Sequence, residues 1–213
     1  MTNLVAHWDH RAENYDETPG NSLTPEQAEA WKSMLADVYP TRSGKLLDIG
    51  CGTGTYSLLF AELGFEVHGV DTSEGMIARA REKALSRSGP GGPPAVMFSV
   101  LDAQHISGRY DAVFSRNMLW TVADPGRLTA VVGEHTTKSA VWVAVETMWD
   151  GRPNGDFRDT GEHLPGFGGW HPNVLREVFA RHGFTRTTWS SISNRSELAT
   201  ADKDIHVLFR VSR

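Results

Sequence analysis

Apolar positions along this chain come in short runs, and helical spacing fills the gaps between them. Leu46, Leu47 and Ile49 make the first run, which predicts a strand over 45–49. A helix follows over 55–63, closed by Gly64, and a second strand spans 66–70. The next helix, 74–87, begins after Ser73, a good N-cap residue. It puts Met76, Ile77, Ala80 and Ala84 on one face. Past a Gly/Pro loop at 88–94, strands are predicted over 95–101 and 110–115. Asp124-Pro125 opens a short helix to about 133, because proline suits a first helical turn. The Val/Trp/Ala run 140–146 predicts a fifth strand, buried on both faces. The tail adds a helix near 172–182, stopped by Gly183, and strands near 185–192 and 205–211.

Strands that alternate with helices imply an α/β fold, with a mainly parallel sheet and helices on both faces. The 213 residues suit one domain, 1–213, with no internal repeat and enough chain for a substantial core. Residues 1–43 read as two helical segments broken between Pro19 and Pro25. Together with the Gly-rich loop 148–170, this N-terminal part is placed to form a lid.

The chemistry concentrates where the first strand ends. Residues 46–54 read Leu-Leu-Asp-Ile-Gly-Cys-Gly-Thr-Gly, and Asp71 closes the second strand. Glycines in such a turn tolerate unusual dihedrals and lack the Cβ that would hold a ligand off the backbone. A carboxylate at Asp71 can accept two hydrogen bonds from a ribose diol. The dinucleotide fingerprint is Gly-x-Gly-x-x-Gly, whereas Gly50, Gly52 and Gly54 alternate. Asp48, two residues before Gly50, would repel a pyrophosphate but attract an amino-acid ammonium, directly or through water. The pattern asks for a ribose, an adjacent amino-acid end and no phosphate. S-adenosylmethionine meets all three requirements.

Composition narrows the setting. A net charge of −5 leaves no basic footprint for nucleic acid. Cys51 is the only cysteine, which excludes an internal disulfide and suits a reducing cytosol. No apolar run approaches the roughly 18 residues of a membrane span, and no basic-plus-apolar leader is present. The expectation is a cytoplasmic enzyme with no membrane partner; oligomeric state stays open.

On these residues the chain resembles the class I S-adenosylmethionine-dependent methyltransferases, especially the small bacterial type similar to the ubiquinone and menaquinone methylases. The matching stretches are 8–16 (WDHRAENYD), 45–54 (KLLDIGCGTG), 69–80 (GVDTSEGMIARA), 100–103 (VLDA) and 110–122 (YDAVFSRNMLWTV). The resemblance implies a Rossmann-like three-layer sandwich with a seven-stranded sheet in the order 3-2-1-4-5-7-6, strand 7 antiparallel. It places Asp48, Gly50, Cys51, Gly52, Gly54, Asp71 and Thr72 around the cofactor. Asp102 and the Ala103 amide become an adenine clamp, although a turn acid at Asp102 is the plainer alternative. The backbone near Arg116 faces the methionine amino group, Asn117 to Trp120 run along the boundary between cofactor and acceptor, and Tyr15 resembles a lid tyrosine that reaches the methionine carboxylate. Met76 either packs over the nucleoside or belongs to the core. One departure concerns the turn before strand five: the family's Leu-x-Pro-Gly-Gly is replaced by Glu-His-Thr-Thr-Lys-Ser.

Methyl transfer from a sulfonium is an in-line displacement, so orientation and exclusion of water do most of the work. A base is needed only for a nucleophile that is protonated at working pH. His171 and His7 are the candidates among nine histidines, with Glu146 as an alternative. No histidine pair has convincing metal-ligand spacing, so no metal is expected. The Asp/Asn-Pro-Pro-Tyr/Phe motif of base-amino methylases is absent after strand four, where Arg-Asn-Met-Leu-Trp stands. A small-molecule acceptor is therefore expected, methylated at oxygen or nitrogen, with Trp120, Trp149 and Trp170 offering an apolar cleft. Competing readings are a non-methylating reaction on the same scaffold, methylation at carbon or sulfur, and a binding module without turnover.

Overall fold

The computed structural model describes residues 3–18, 21–87, 96–148, 166, 169–193, 198 and 205–213. At the centre lies β1 (Lys45–Ile49), paired in parallel with β2 (Glu66–Asp71) on one side and β4 (Tyr110–Arg116) on the other. Parallel β3 (Val96–Val100) extends the sheet beyond β2, and parallel β5 (Thr136–Met148) extends it beyond β4. The last two strands, β6 (Arg186–Ser191) and β7 (Ile205–Ser212), pair antiparallel, and β7 also runs antiparallel to β5. The order is 3-2-1-4-5-7-6, as the family resemblance implied. The strand order reverses between β1 and β4, which opens a crevice at their carboxyl ends.

Alternation along each strand separates two cores. Leu46, Phe114 and Val143 face α2 (Pro25–Val38) and α3 (Thr55–Glu62). Leu47, Val113, Trp142 and Ala144 face α5 (Pro125–Glu134) and α6 (Pro172–Arg181). Fully burying a side chain such as Phe114 stabilises the fold by about 1.5–3 kcal/mol. Phe114 also sits 4.9 Å from the Phe60 ring and 5.4 Å from the Tyr56 ring. The same period puts Asp48 on the α3 side of β1, and this sets its later role.

The N-terminal part holds α1 (Asn3–Arg11) and α2, with a 3-10 turn at Tyr15–Glu17 between them. Thr24 and Gln27 form a capping box and Pro25 opens α2 as expected, but the break begins earlier than Pro19, because α1 ends at Arg11. α4 (Glu74–Arg87) packs on α1 and β3. Strand β5 begins four residues earlier than expected. With no proline or glycine to force a turn, Thr136–Ser139 continues the strand, and a register shift between Tyr110 and Ala112 absorbs the irregularity. Among the described residues, no helix is long and apolar enough to cross a membrane.

Candidate functional site

The glycine turn is held from both flanks. Gly50 and Cys51 donate their N–H groups to the Val70 carbonyl at 2.8 and 3.0 Å, tying the turn to β2. Gly54 then donates to the Cys51 carbonyl at 2.9 Å and starts α3. Asp71 accepts from the Gly52 N–H at 3.0 Å through one oxygen and from the Ser73 N–H at 2.9 Å through the other. One carboxylate thus braces the turn and the entrance to α4. Burial raises its proton affinity, against the Ser73, Gly52 and Thr72 backbone N–H groups that favour the charged form. Thr72 is exposed beside it.

Asp48 is 2% exposed and accepts a hydrogen bond from the Ser57 hydroxyl in the first turn of α3. Burial pushes its carboxyl up to about 7; Ser57 opposes the rise and Asp71 adds to it. Asp48, Gly50 and Gly52 line a partly open cavity with Tyr15, Tyr56 and Arg116. The Arg116 guanidinium lies 5.2 Å from the Tyr56 ring centroid and makes no ion pair among the described residues. A cation and a carboxyl therefore border one small polar hollow.

Its roof comes from the N-terminal segment. A Cβ built on Gly52 (φ +53°) would meet only the Tyr15 ring, at 3.8 Å, so the turn is open on that side. Asp9 Oδ1 accepts from the Ser73 hydroxyl at 2.6 Å and the Gly75 N–H at 3.0 Å, which caps α4 from α1. Asp16 accepts from the Thr53 hydroxyl at 2.7 Å and pairs with Lys83 at 2.8 Å. Asn21 donates to the Tyr15 carbonyl and receives the Thr55 hydroxyl on its own.

The opposite wall follows β4. Asn117 adopts φ +50°, and its side-chain oxygen accepts from the Thr147 N–H at 3.0 Å and the Thr147 hydroxyl at 2.8 Å. Glu146, 1% exposed, returns across the same pair of strands: Oε1 accepts from the Met118 and Leu119 N–H groups at 3.2 and 3.1 Å. Burial pushes its carboxyl up to about 7, against the bonds from Leu119, Met118 and Trp120. Trp120 is buried, 6.4 Å from Trp8, which lies 6.2 Å from Tyr15 and 5.2 Å from His7. Trp170 donates its indole N–H to the Leu119 carbonyl at 3.0 Å.

Other candidates stand elsewhere. Exposed His171 is the N-cap of α6, its Nδ1 accepting from the Asn173 N–H at 3.3 Å. Met76 is 2% exposed, inside the core. Asp102 is exposed and caps the turn Ala103–His105 through the Gln104 N–H at 2.8 Å. Trp149 lies outside the described residues, as does most of the 148–170 loop. Sequence reasoning passed over Tyr56 and Ser57, although a helix starting at 55 turns its first residues toward the end of β1. The pairings of Asp9 and Asp16 join residues more than 30 apart and leave no local signal. Among the described residues, no group of three or more His, Cys, Asp or Glu is placed to hold a metal.

Residues 46–136 match the family model described as a methyltransferase domain. Over this stretch the chain is similar to the class I S-adenosylmethionine-dependent methyltransferases. It is 34% identical to the magnesium-protoporphyrin O-methyltransferase of Synechocystis over 101 residues, covering 47% of this chain and 41% of that one. It is 30% identical to the ubiquinone biosynthesis O-methyltransferase of Bordetella avium over 141 residues, covering 66% and 55%. The chain thus spans about half the length of these curated relatives. A phosphoethanolamine N-methyltransferase of Haemonchus contortus, solved with S-adenosyl-L-methionine, shares the fold at a TM-score of 0.71. Their identity is 19%, over 96% of this chain and 57% of that one.

Proposed function

We propose that this methyltransferase moves a methyl group from S-adenosylmethionine to oxygen or nitrogen of a small acceptor. The observation that carries this is the cavity beside the glycine turn, which offers both a carboxyl at Asp48 and a cation at Arg116 that makes no ion pair among the described residues. A zwitterionic amino-acid end answers that polarity; a pyrophosphate does not. The open side of Gly52 supplies the close backbone approach such a ligand needs.

In this reading the Arg116 guanidinium holds the methionine carboxylate, a charge-assisted pairing suited to its planar fork. Asp48, fixed by Ser57, attracts the ammonium through water. Asp71 keeps a lone pair on each oxygen for the ribose hydroxyls, beside Thr72. Asp102 and the Ala103 amide clamp the adenine, Cys51 and Asn117 contribute backbone, and Tyr15 closes the roof. Bound S-adenosylmethionine supplies an electrophilic methyl on a good leaving group. The chain's own residues orient the acceptor and exclude water. Trp120 and Trp170 form the acceptor side. Of the proposed bases, His7 stands at that aromatic wall, while His171 caps a helix and Glu146 is held by backbone amides.

A small acceptor is supported by the missing Pro-Pro motif after β4 and by relatives named for magnesium-protoporphyrin and ubiquinone biosynthesis. Calorimetric titration with S-adenosylhomocysteine should show one-to-one binding; no heat across the micromolar to millimolar range overturns the reading. Incubation with methyl-labelled cofactor and metabolite extracts then finds the acceptor. Product formed without equimolar S-adenosylhomocysteine would move the assignment to a non-methylating reaction.

A further inference from the structure

We infer that Glu146 is a positioning residue: its Oε1, by accepting backbone N–H groups after β4, fixes the turn that carries Arg116 and Trp120 to their places. The geometry is reciprocal. Glu146 on β5 reaches the amides of Met118 and Leu119, while Asn117 on the turn reaches the amide and hydroxyl of Thr147. Asn117 itself donates its N–H to the Val145 carbonyl at 2.8 Å, so the two strand ends are stitched at three consecutive β5 residues. Asn117 is the one non-glycine residue with positive φ among the described residues, a conformation that costs energy unless its surroundings enforce it.

Successive N–H groups converging on one oxygen make a small anion-binding concavity, and here the protein fills it with its own side chain. The engagement of Oε1 by amides, and the burial of the whole group, leave Glu146 poorly placed to take a proton from an acceptor. Oε2 is buried and, among the described residues, has no hydrogen-bond partner of good geometry. Such a group is retained at a cost, which fits a positional task for its sister oxygen. Arg116 precedes this turn and Trp120 lies within it. A loosened turn therefore moves the proposed carboxylate anchor and the acceptor wall together. That consequence rests on the methyl-transfer reading; the anchoring of the turn does not.

The test compares Glu146→Gln, Glu146→Asp and Glu146→Leu in the full chain by amide hydrogen exchange and S-adenosylhomocysteine titration. Gln keeps an acceptor oxygen at the same reach, Asp keeps the charge but falls one methylene short, and Leu keeps neither. Exchange at 118–120 should quicken at least tenfold in Asp and Leu but less than threefold in Gln, with β1 and β4 amides unchanged. S-adenosylhomocysteine affinity should fall in the same order. Wild-type exchange in the Asp variant, or a Gln variant as loose as Asp, overturns the inference. Should Leu fail to fold, Gln against Asp still decides. If the wild type binds no S-adenosylhomocysteine, the methyl-transfer reading fails, while the exchange result still judges Glu146.

Discussion

Asp16 accepts the Thr53 hydroxyl at 2.7 Å, so the N-terminal segment is fastened to the middle of the glycine turn. Lys83 of α4 joins the same knot, pairing with Asp16 at 2.8 Å and donating to Thr53 and Thr55 at 3.0 and 3.1 Å. Tyr15, next to Asp16, is thereby set over Gly52. Asp16→Ala should free this roof while the sheet stays intact. A part-exposed pair with an added hydroxyl bond contributes about 1 kcal/mol. The expected result is an S-adenosylhomocysteine dissociation rate several-fold faster by stopped-flow, with a small drop in melting temperature. An unchanged rate would mean that the Tyr15 segment is not the gate.

Gly52 and Gly54 should separate binding from folding. A Cβ on Gly54 (φ +77°) would sit 2.8 Å from Phe98 and 3.0 Å from Ala80, inside the packing of α3 against α4 and β3. Gly54→Ala should destabilise the protein by about 1–3 kcal/mol, from strain and overpacking. A side chain on Gly52 meets only Tyr15 and projects into the cavity. Gly52→Ala carries the same left-handed strain as Gly54→Ala but no clash, so it should weaken S-adenosylhomocysteine binding with a smaller loss of stability than Gly54→Ala. Denaturant melts and calorimetry on both variants check the contrast.

Arg116→Met should weaken S-adenosylhomocysteine binding by about 2–3 kcal/mol, the worth of a charge-assisted hydrogen-bonded pair. Methylthioadenosine, which lacks the amino-acid end, should bind the variant and the wild type alike. Equal losses for both ligands would mean that Arg116 acts on the whole pocket and not on a carboxylate.

Asp71→Ala should cost about 1–3 kcal/mol of affinity for either ligand, because the ribose is common to both. The variant also leaves the Gly52 and Ser73 amides without their acceptor, so a drop in melting temperature should accompany the loss. An unaltered dissociation constant would remove Asp71 from the ribose.

Element limits were legible because period-2 and period-3.6 patterns depend on neighbours along the chain, whereas the strand order came from the family resemblance. Boundaries agree within a residue or two, except at β5, where the missing Pro-Gly-Gly lets the strand begin early. The glycine turn and Asp71 were legible for the same local reason. Arg116 was read for its backbone only, since nothing in Ser-Arg-Asn tells that its side chain will border the cavity with no ion pair among the described residues. His171 and Asp102 look like chemistry in the sequence, yet in the fold both cap short-range N–H groups, a use open to any such residue at a helix start. Glu146 was singled out as a base; its contacts with amides 28 and 27 residues away appear only once β4 and β5 lie side by side.

Two buried carboxyls should shape the pH dependence of stability. Burial lifts Asp48 from 3.8 and Glu146 from 4.5, each to about 7. Between those values the folded chain binds more protons than the unfolded one, so stability falls as pH rises. The contribution is fully present below about pH 4 and lost as pH passes about 7. Glu146→Gln cannot ionise and keeps the acceptor oxygen. Each pH unit across this window is worth about 1.36 kcal/mol per group, so the gain above pH 8 should be a few kcal/mol at most. Urea melts from pH 5 to pH 8.5 should show the wild type losing stability across this window and the Gln variant losing less. Parallel profiles would mean that Glu146 is already ionised at pH 5, with its amide partners outweighing burial.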